Sequence, residues 1–220
     1  AGDVSGETAL VIGAGPIGCE FAQAFARFGS QVFLIEALHG ILPNEDRDAA
    51  EIVRNSLARD GVELLCCGRD LQVEKTPDGK RLILDSHGQH YEITVDEILI
   101  GAGRQPNVDG MNLEAVGVGY DAKTGVHVND RLQTTNPRIY AAGDICSRYK
   151  FTHAADAMAR IVIQNALFFG RAKAGALTIP WCTYTDPEIA HVGLYEHEAK
   201  ERGIAIQTFE QSLAHVDRAI

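Results

Sequence analysis

The sequence contains no apolar run approaching the roughly 18 residues that span a bilayer, so an integral helical membrane protein is not expected. Positive charge is also scarce. Twenty Lys and Arg stand against thirty Asp and Glu, a formal net charge of −10. A phosphate backbone is held by clustered Lys and Arg that this chain lacks, which argues against nucleic acid as a partner. The opening AGDVSGETALVIG has neither a basic n-region nor a cleavage signal, and the expected location is cytoplasmic. Five cysteines, an odd number without framework spacing, do not make a disulfide-stapled scaffold, and reduced thiols are the simpler state. Repeats and low-complexity tracts are missing too. What is present, 220 residues at 45% hydrophobic content, suffices for one substantial core and a smaller lobe.

Thr8 to Gly13 (TALVIG) is a short apolar run ahead of a glycine-rich turn, as in a strand buried on both faces. Pro16 suits the first turn of a helix in which Ile17, Phe21, Ala24, Phe25 and Phe28 recur at helical spacing before Gly29. Gln31 to Glu36 reads as a second strand. Asn44 is the expected cap of a second helix, with Glu45, Asp46 and Asp48 in its first turn and Ala49, Ile52, Val53 and Leu57 on its apolar face. Val62 to Cys66 makes a third strand, and the β-α-β-α-β succession is the pattern of an α/β, Rossmann-like parallel sheet.

From Asp70 to Asp96 the period changes. DLQVEKT, KRLILDS and YEITVD, separated by PDGK and HGQ, predict a small antiparallel meander before an apolar strand at Glu97 to Gly101. Further strands are expected at Val126 to Val128 and Ile139 to Ala142, with a helix over Thr152 to Gly170. A last section opens with a strand from Ile179, a short helix at Tyr195 to Arg202 and a strand at Ile204 to Phe209.

Gly13-Ala14-Gly15-Pro16-Ile17-Gly18 is a G-x-G-x-x-G between a predicted strand and a predicted helix, the context in which that pattern carries meaning. Gly13 permits the tight turn, Gly15 lets backbone amides approach a pyrophosphate, and Gly18 lets the helix pack closely on the strand. The helix start then adds unpaired N–H donors and partial positive charge. Glu36 ends the second strand about 20 residues later, placed to accept hydrogen bonds from both adenosine ribose hydroxyls. A 2′-phosphate would be repelled there, and no Arg or Lys lies between Glu36 and Pro43 to receive it, which favours NAD over NADP.

Three later segments resemble the FAD- and NAD-linked pyridine nucleotide-disulfide oxidoreductases, the flavoprotein family of dihydrolipoamide dehydrogenase, glutathione reductase and mercuric reductase. ILIGAGRQPN (Ile98 to Asn107) resembles the family's link from the NAD domain to the FAD domain, usually written A-T-G-R-x-P-N, with Gly101-Ala102 here in place of Ala-Thr. IYAAGD (Ile139 to Asp144) resembles its second FAD motif, and IPWCTYTDPEIAHVGLYEHEA (Ile179 to Ala199) the opening of its dimerisation domain. FTHAADAMARIVIQNALFFG and PWCTYTDPE are most similar to the mercuric-reductase-like members. The resemblance implies an NAD-binding domain over residues 1–103, the C-terminal segment of an FAD-binding domain over 104–176, and an incomplete α+β dimerisation domain over 177–220. It places Asp144 on a flavin ribityl hydroxyl and Thr152 near the flavin, although Thr152 is equally a helix cap. It puts Gly103 at the nicotinamide nucleotide and Glu20 near the flavin–nicotinamide contact.

The family also begins with its own FAD-binding G-x-G-x-x-G and a C-x-x-x-x-C redox pair, and ends with a His-Glu pair that serves the partner subunit. None is visible here. The expectation is therefore the NAD(H)-binding portion of a homodimeric enzyme that passes a hydride from NADH to FAD and on to a disulfide or similar acceptor, with FAD shared with an upstream segment. A stand-alone NAD-binding or dimerisation module without catalysis is the alternative. No catalytic residue is assigned. Cys66-Cys67 has the wrong spacing for the redox pair and is expected to be buried and inert. His153 and His191 lack acidic partners at catalytic spacing. His87 and His90 flank a turn with no further Cys or His nearby in sequence, so no metal site is assigned.

Overall fold

The computed structural model describes residues 6–213 and 216. Residues 1–5, 214–215 and 217–220, which carry part of the leader reading and the outer ends of the expected first and third domains, lie outside the described residues. The chain is α/β. β1 (Thr8–Ile12), α1 (Pro16–Arg27), β2 (Gln31–Ile35), α2 (Arg47–Arg59) and β3 (Val62–Leu65) follow the expected alternation. The meander β4 (Arg69–Thr76), β5 (Gly79–Ser86) and β6 (Gln89–Val95) then forms its own antiparallel sheet, and β7 (Glu97–Ile100) returns to the first. The parallel sheet runs β3-β2-β1-β7, with Thr8 opposite Gln31 and Ala9 opposite Glu97. Strand order reverses between β1 and β7, and it is outside the C-terminal strand ends at such a switch point that open α/β sheets bind ligands.

The central strands are apolar because both of their faces are covered. Val11, Val32 and Leu34 pack with Cys19, Ala22, Val53 and Leu57 on the helical side. Leu10, Phe33 and Ile35 pack with Leu82, Leu84 and Val95 of the meander on the other. Each such Val or Leu contributes about 1.5–3 kcal/mol by leaving water, before the cost in chain entropy.

Both early helices are turned differently from the expected pattern. On α1 the buried residues are Gly18, Cys19, Ala22 and Gln23, while Ile17, Phe21 and Phe28 are 42%, 44% and 66% exposed. Closeness is the reason: a Cβ on Gly18 would sit 1.8 Å from the Gly13 carbonyl oxygen, and only small side chains fit that approach. On α2 the cap is Asp46, not Asn44, and Ala50, Val53, Ser56 and Leu57 face inward while Ile52 is exposed. Glu45 has turned into the protein, accepting hydrogen bonds from Trp181 Nε1 at 2.9 Å and from the Tyr195 hydroxyl at 2.6 Å.

Regular structure thins beyond Gly101. β8 (Tyr120–Asp121) and β9 (Gly125–Val126), two residues each, pair antiparallel, and the expected strand at Ile139 to Ala142 is reduced to a single bridge between Gln133 and Tyr140. α3 (Thr152–Leu167) forms with Phe151 at its cap position, so Thr152 is the first helical residue and does not act as the cap. β10 (Trp181–Thr183) pairs antiparallel with β11 (Ile189–His191), followed by α4 (Glu196–Glu201). Ile204 to Phe209 is irregular and exposed, with no strand among the described residues to pair it. The β10–β11 section docks on α1 and α2: Gln23 donates to the Asp186 carbonyl and accepts its N–H, Ser56 Oγ donates to the same carbonyl, and Arg27 pairs with the Asp186 carboxylate.

Candidate functional site: the glycine turn and its acidic neighbour

β1 ends in a turn whose geometry depends on glycine. Gly13 has φ +98, and a Cβ there would lie 2.9 Å from the backbone of Gly101. Three strand ends are thereby drawn together: the Gly13 N–H donates to Ile35 O at 2.8 Å, and the Gly101 N–H to Ile12 O at 2.8 Å. Gly15 occupies the cap position of α1, followed by Pro16, whose missing N–H costs nothing at a helix start. A Cβ on Gly15 would meet nothing within 4 Å, so the turn is open on that side. The amides of Ile17 and Gly18, in the first helical turn, have no intrahelical carbonyl to bond. A helix start of this kind, with room in front of it, is suited to an anion.

Glu36 follows β2 and is turned toward this turn. Its Oε2 accepts the Ala14 N–H at 2.8 Å and its Oε1 accepts the Leu38 N–H at 3.0 Å. A carboxylate has about four acceptor positions, so two remain for ligand hydroxyls. The bond to Ala14 is one the sequence did not announce, since it requires β1 and β2 to end in register. Arg47, the first residue of α2, is the first Arg or Lys after Glu36. Its guanidinium is spent on the Ile41, Leu42 and Glu45 carbonyls.

The remaining expected residues fall into two groups. Glu20 projects from α1 and accepts the Tyr184 N–H at 2.8 Å, bound to the β10–β11 section. Gly103, with φ +97, stands in open space just past the Gly13–Gly101 contact. Asp144 is exposed in a short 3-10 turn (Gly143–Ile145), which packs on α3 close to its start at Thr152: a Cβ on Gly143 would come within 3.0 Å of Ala155 Cβ. Asp144 also lines a shallow hollow with Arg104, Gln105, Pro106, Asn107, Ile145 and Lys150, so the ILIGAGRQPN link and the IYAAGD segment meet in space.

Cysteines and histidines are placed more informatively than their sequence positions suggest. Cys19 is buried behind the glycine turn, its thiol donating to Ala14 O at 3.4 Å; burial first, then the charges of Glu20 and Glu36, raise its pKa to about 12. His153 and His191 bond the backbone carbonyls of Pro180 and Gly193. Cys66 and Cys67 are only half-buried, contrary to expectation, and His87 does have cysteine neighbours: its Nε2 lies 3.1 Å from Cys66 Sγ. Folding of the meander onto β3 closes a sequence gap that no spacing rule could see.

Residues 2–159 match the family model described as pyridine nucleotide-disulphide oxidoreductase, and residues 179–220 match that family's dimerisation domain. The chain is 35% identical to a dihydrolipoyl dehydrogenase of Thermus scotoductus, over 96% of this chain and 46% of that protein. It is 35% identical to a mercuric reductase of Staphylococcus aureus, over 96% of this chain and 38% of that one. Among solved structures, the HOCl-induced flavoprotein disulfide reductase RclA from Escherichia coli superposes with a TM-score of 0.84 at 30% identity, covering 96% of this chain and 48% of that one. The chain thus spans less than half the length of these relatives. With both family models matched in order along the sequence, the chain belongs to the pyridine nucleotide-disulphide oxidoreductases, a family that binds FAD and NAD(P).

Proposed function

We propose that this chain is the NAD(H)-binding portion of a flavin-dependent oxidoreductase that moves a hydride from NADH to FAD and onward to a disulfide or similar acceptor. The observation that carries the reading is the pairing of an open helix start at Gly15 with the Glu36 carboxylate turned toward the same turn. The amides of Ile17 and Gly18 would hold the pyrophosphate, and Ala14, Gly15 and Pro16 would shape its seat. Glu36 would take the adenosine ribose hydroxyls on its two unused acceptor positions, and its charge would repel a 2′-phosphate. Arg47 offers no relief from that repulsion, because its donors are committed to backbone carbonyls. The bound nicotinamide would supply a hydride; Gly103 would leave space for it, and Glu20 would border it.

Asp144, Thr152 and the hollow beside Arg104 to Asn107 would form this chain's share of a flavin site. The corresponding division is residues 1–103 for NAD, 104–176 for part of the FAD domain and 177–220 for dimerisation, giving a homodimer in the whole protein. Titration with NADH and NADPH, followed through the fluorescence of the single tryptophan, Trp181, or by calorimetry, tests the reading. Saturable NADH binding at least tenfold tighter than NADPH is expected. Absence of binding, or a preference for NADPH, overturns the assignment around Glu36.

A further inference from the structure

Away from the glycine turn, four side chains with metal-binding donors converge where β2, β3 and β5 end. His39 lies in the loop after β2, Cys66 and Cys67 follow β3, and His87 sits in the β5–β6 turn. One nitrogen or sulfur from each, four in all, lie within 4.8 Å of one another. Cys66 Sγ is 3.1 Å from His87 Nε2, and Cys67 Sγ is 3.6 Å from His39 Nδ1. The two imidazoles meet edge to face with centroids 6.0 Å apart. A tetrahedral zinc ion, with bonds of about 2.3 Å to sulfur and about 2.0–2.1 Å to nitrogen, holds its donors roughly 3.3–3.8 Å from each other. These two pairs already approach that spacing, and with all four donors within 4.8 Å of one another no pair needs to contract by more than about 1.5 Å.

The backbone holds the three segments together independently of these side chains. The Cys67 N–H donates to Leu38 O at 3.1 Å, the Gly68 N–H to Glu36 O at 2.9 Å, and Ser86 Oγ to Cys66 O at 2.6 Å. Two of the four donors stand on strained backbone: Cys67 at φ 57 and His87 at φ 51, a region that few residues other than glycine adopt and that persists where the surroundings enforce it. The donor set is itself selective. Two thiolates and two imidazoles suit a borderline-soft cation and give a divalent ion a neutral site, whereas magnesium and calcium require oxygen. His39 and His87 are exposed, so an ion can enter from solvent.

We propose that His39, Cys66, Cys67 and His87 form a tetrahedral Cys2His2 site for Zn2+, clipping the meander and the β3–β4 corner to the loop that follows Glu36. Binding displaces the two thiol protons to solvent and involves no electron transfer.

Cobalt is the probe. The reduced, chelator-treated protein is titrated with Co2+, and the expected result is the intense visible absorption of tetrahedral thiolate-bound cobalt, saturating at one equivalent and bleached by Zn2+. The double variant Cys66→Ser/Cys67→Ser and the double variant His39→Ala/His87→Asn should each lose that absorption, while Cys182→Ser keeps it. Asn is chosen at 87 because it tolerates a positive φ, so the turn survives without the imidazole; circular dichroism checks that each variant is folded. Zn2+ should raise the melting temperature of the parent protein by several degrees and leave the double variants unmoved. A pale octahedral spectrum, uptake that persists in either double variant, or binding of Cu+ without Co2+ or Zn2+ overturns the proposal.

Discussion

The Glu36 carboxylate accepts the Ala14 N–H at 2.8 Å, so the side chain proposed to grip the ribose also fixes the turn proposed to hold the pyrophosphate. Charged hydrogen bonds of this kind contribute about 1.5–3 kcal/mol. Glu36→Ala should therefore weaken NADH binding roughly 10- to 100-fold, and it should weaken NADPH binding less or not at all, because a repulsion disappears with the attraction. Calorimetric titration of both nucleotides measures this. Equal loss for the two would show that Glu36 only shapes the turn.

The three glycines near the fingerprint separate packing from binding. Gly18→Ala drives a Cβ to 1.8 Å from Gly13 O and should cost about 3 kcal/mol or more of stability. Gly15→Ala points into open space and should cost at most about 1 kcal/mol as a poorer cap, yet reduce NADH affinity by occupying the pyrophosphate's side of the turn. At Gly101 a Cβ would meet its neighbours at 3.5–3.6 Å, an ordinary contact, and φ lies outside the left-handed region. Gly101→Ala should accordingly stabilise the protein by about 0.4–1 kcal/mol. Urea denaturation together with NADH titration reads all three, and a stable Gly18→Ala protein would contradict the packing account.

Burial raises the Cys19 thiol from an ordinary 9.0 to about 12. In the unfolded chain this thiol loses its proton near pH 9, while in the folded protein it keeps it. The unfolded state therefore binds fewer protons between those values. Stability from this group is full below pH 9 and declines toward pH 12, by up to about 1.4 kcal/mol per pH unit. Comparing the pH dependence of unfolding in the parent and in Cys19→Ala isolates it: the variant should lose part of the alkaline decline. Rapid alkylation of Cys19 in the native protein at pH 8 would contradict its placement.

Glu45 anchors the β10–β11 section through Trp181 and Tyr195, and removing one donor leaves a buried carboxylate half-satisfied. Tyr195→Phe should cost about 1.5 kcal/mol or more and loosen this section before the sheet. A red shift of Trp181 emission at urea concentrations below those that unfold α2 is the expected sign. Simultaneous loss of both signals would mean that the section and the sheet unfold as one unit.

The sheet and the glycine turn were legible because each rests on local pattern: TALVIG and QVFLIE are continuous apolar runs, and Gly13, Gly15 and Gly18 encode a turn within six residues. Helix facing was less so. The phenylalanines of α1 suggested an apolar stripe, but the inner face needed small residues for a contact with Gly13 that lies outside the helix. Glu45 misled for a similar reason, since its partners Trp181 and Tyr195 lie far along the chain. Ile204 to Phe209 has the composition of a strand, and composition alone supplies no neighbour. The His39–Cys66–Cys67–His87 cluster was invisible because its members come from three segments joined only when β5 and β6 fold over the sheet.

The contact between Gly13 and Gly101 also orders events during synthesis. Thr8 donates its N–H to the Asp96 carboxylate at 2.7 Å and accepts the Asp96 N–H in return, and the Gly101 N–H is held by Ile12. A chain emerging from the ribosome can pair β1 with β2 early, but the glycine turn stays unfinished until the whole meander has followed and β7 has slotted in beside β1. Such long-separation closure slows folding. The proposed competence to capture a dinucleotide should therefore arise late and in one step, as a property of the completed sheet and not of the motif that advertises it.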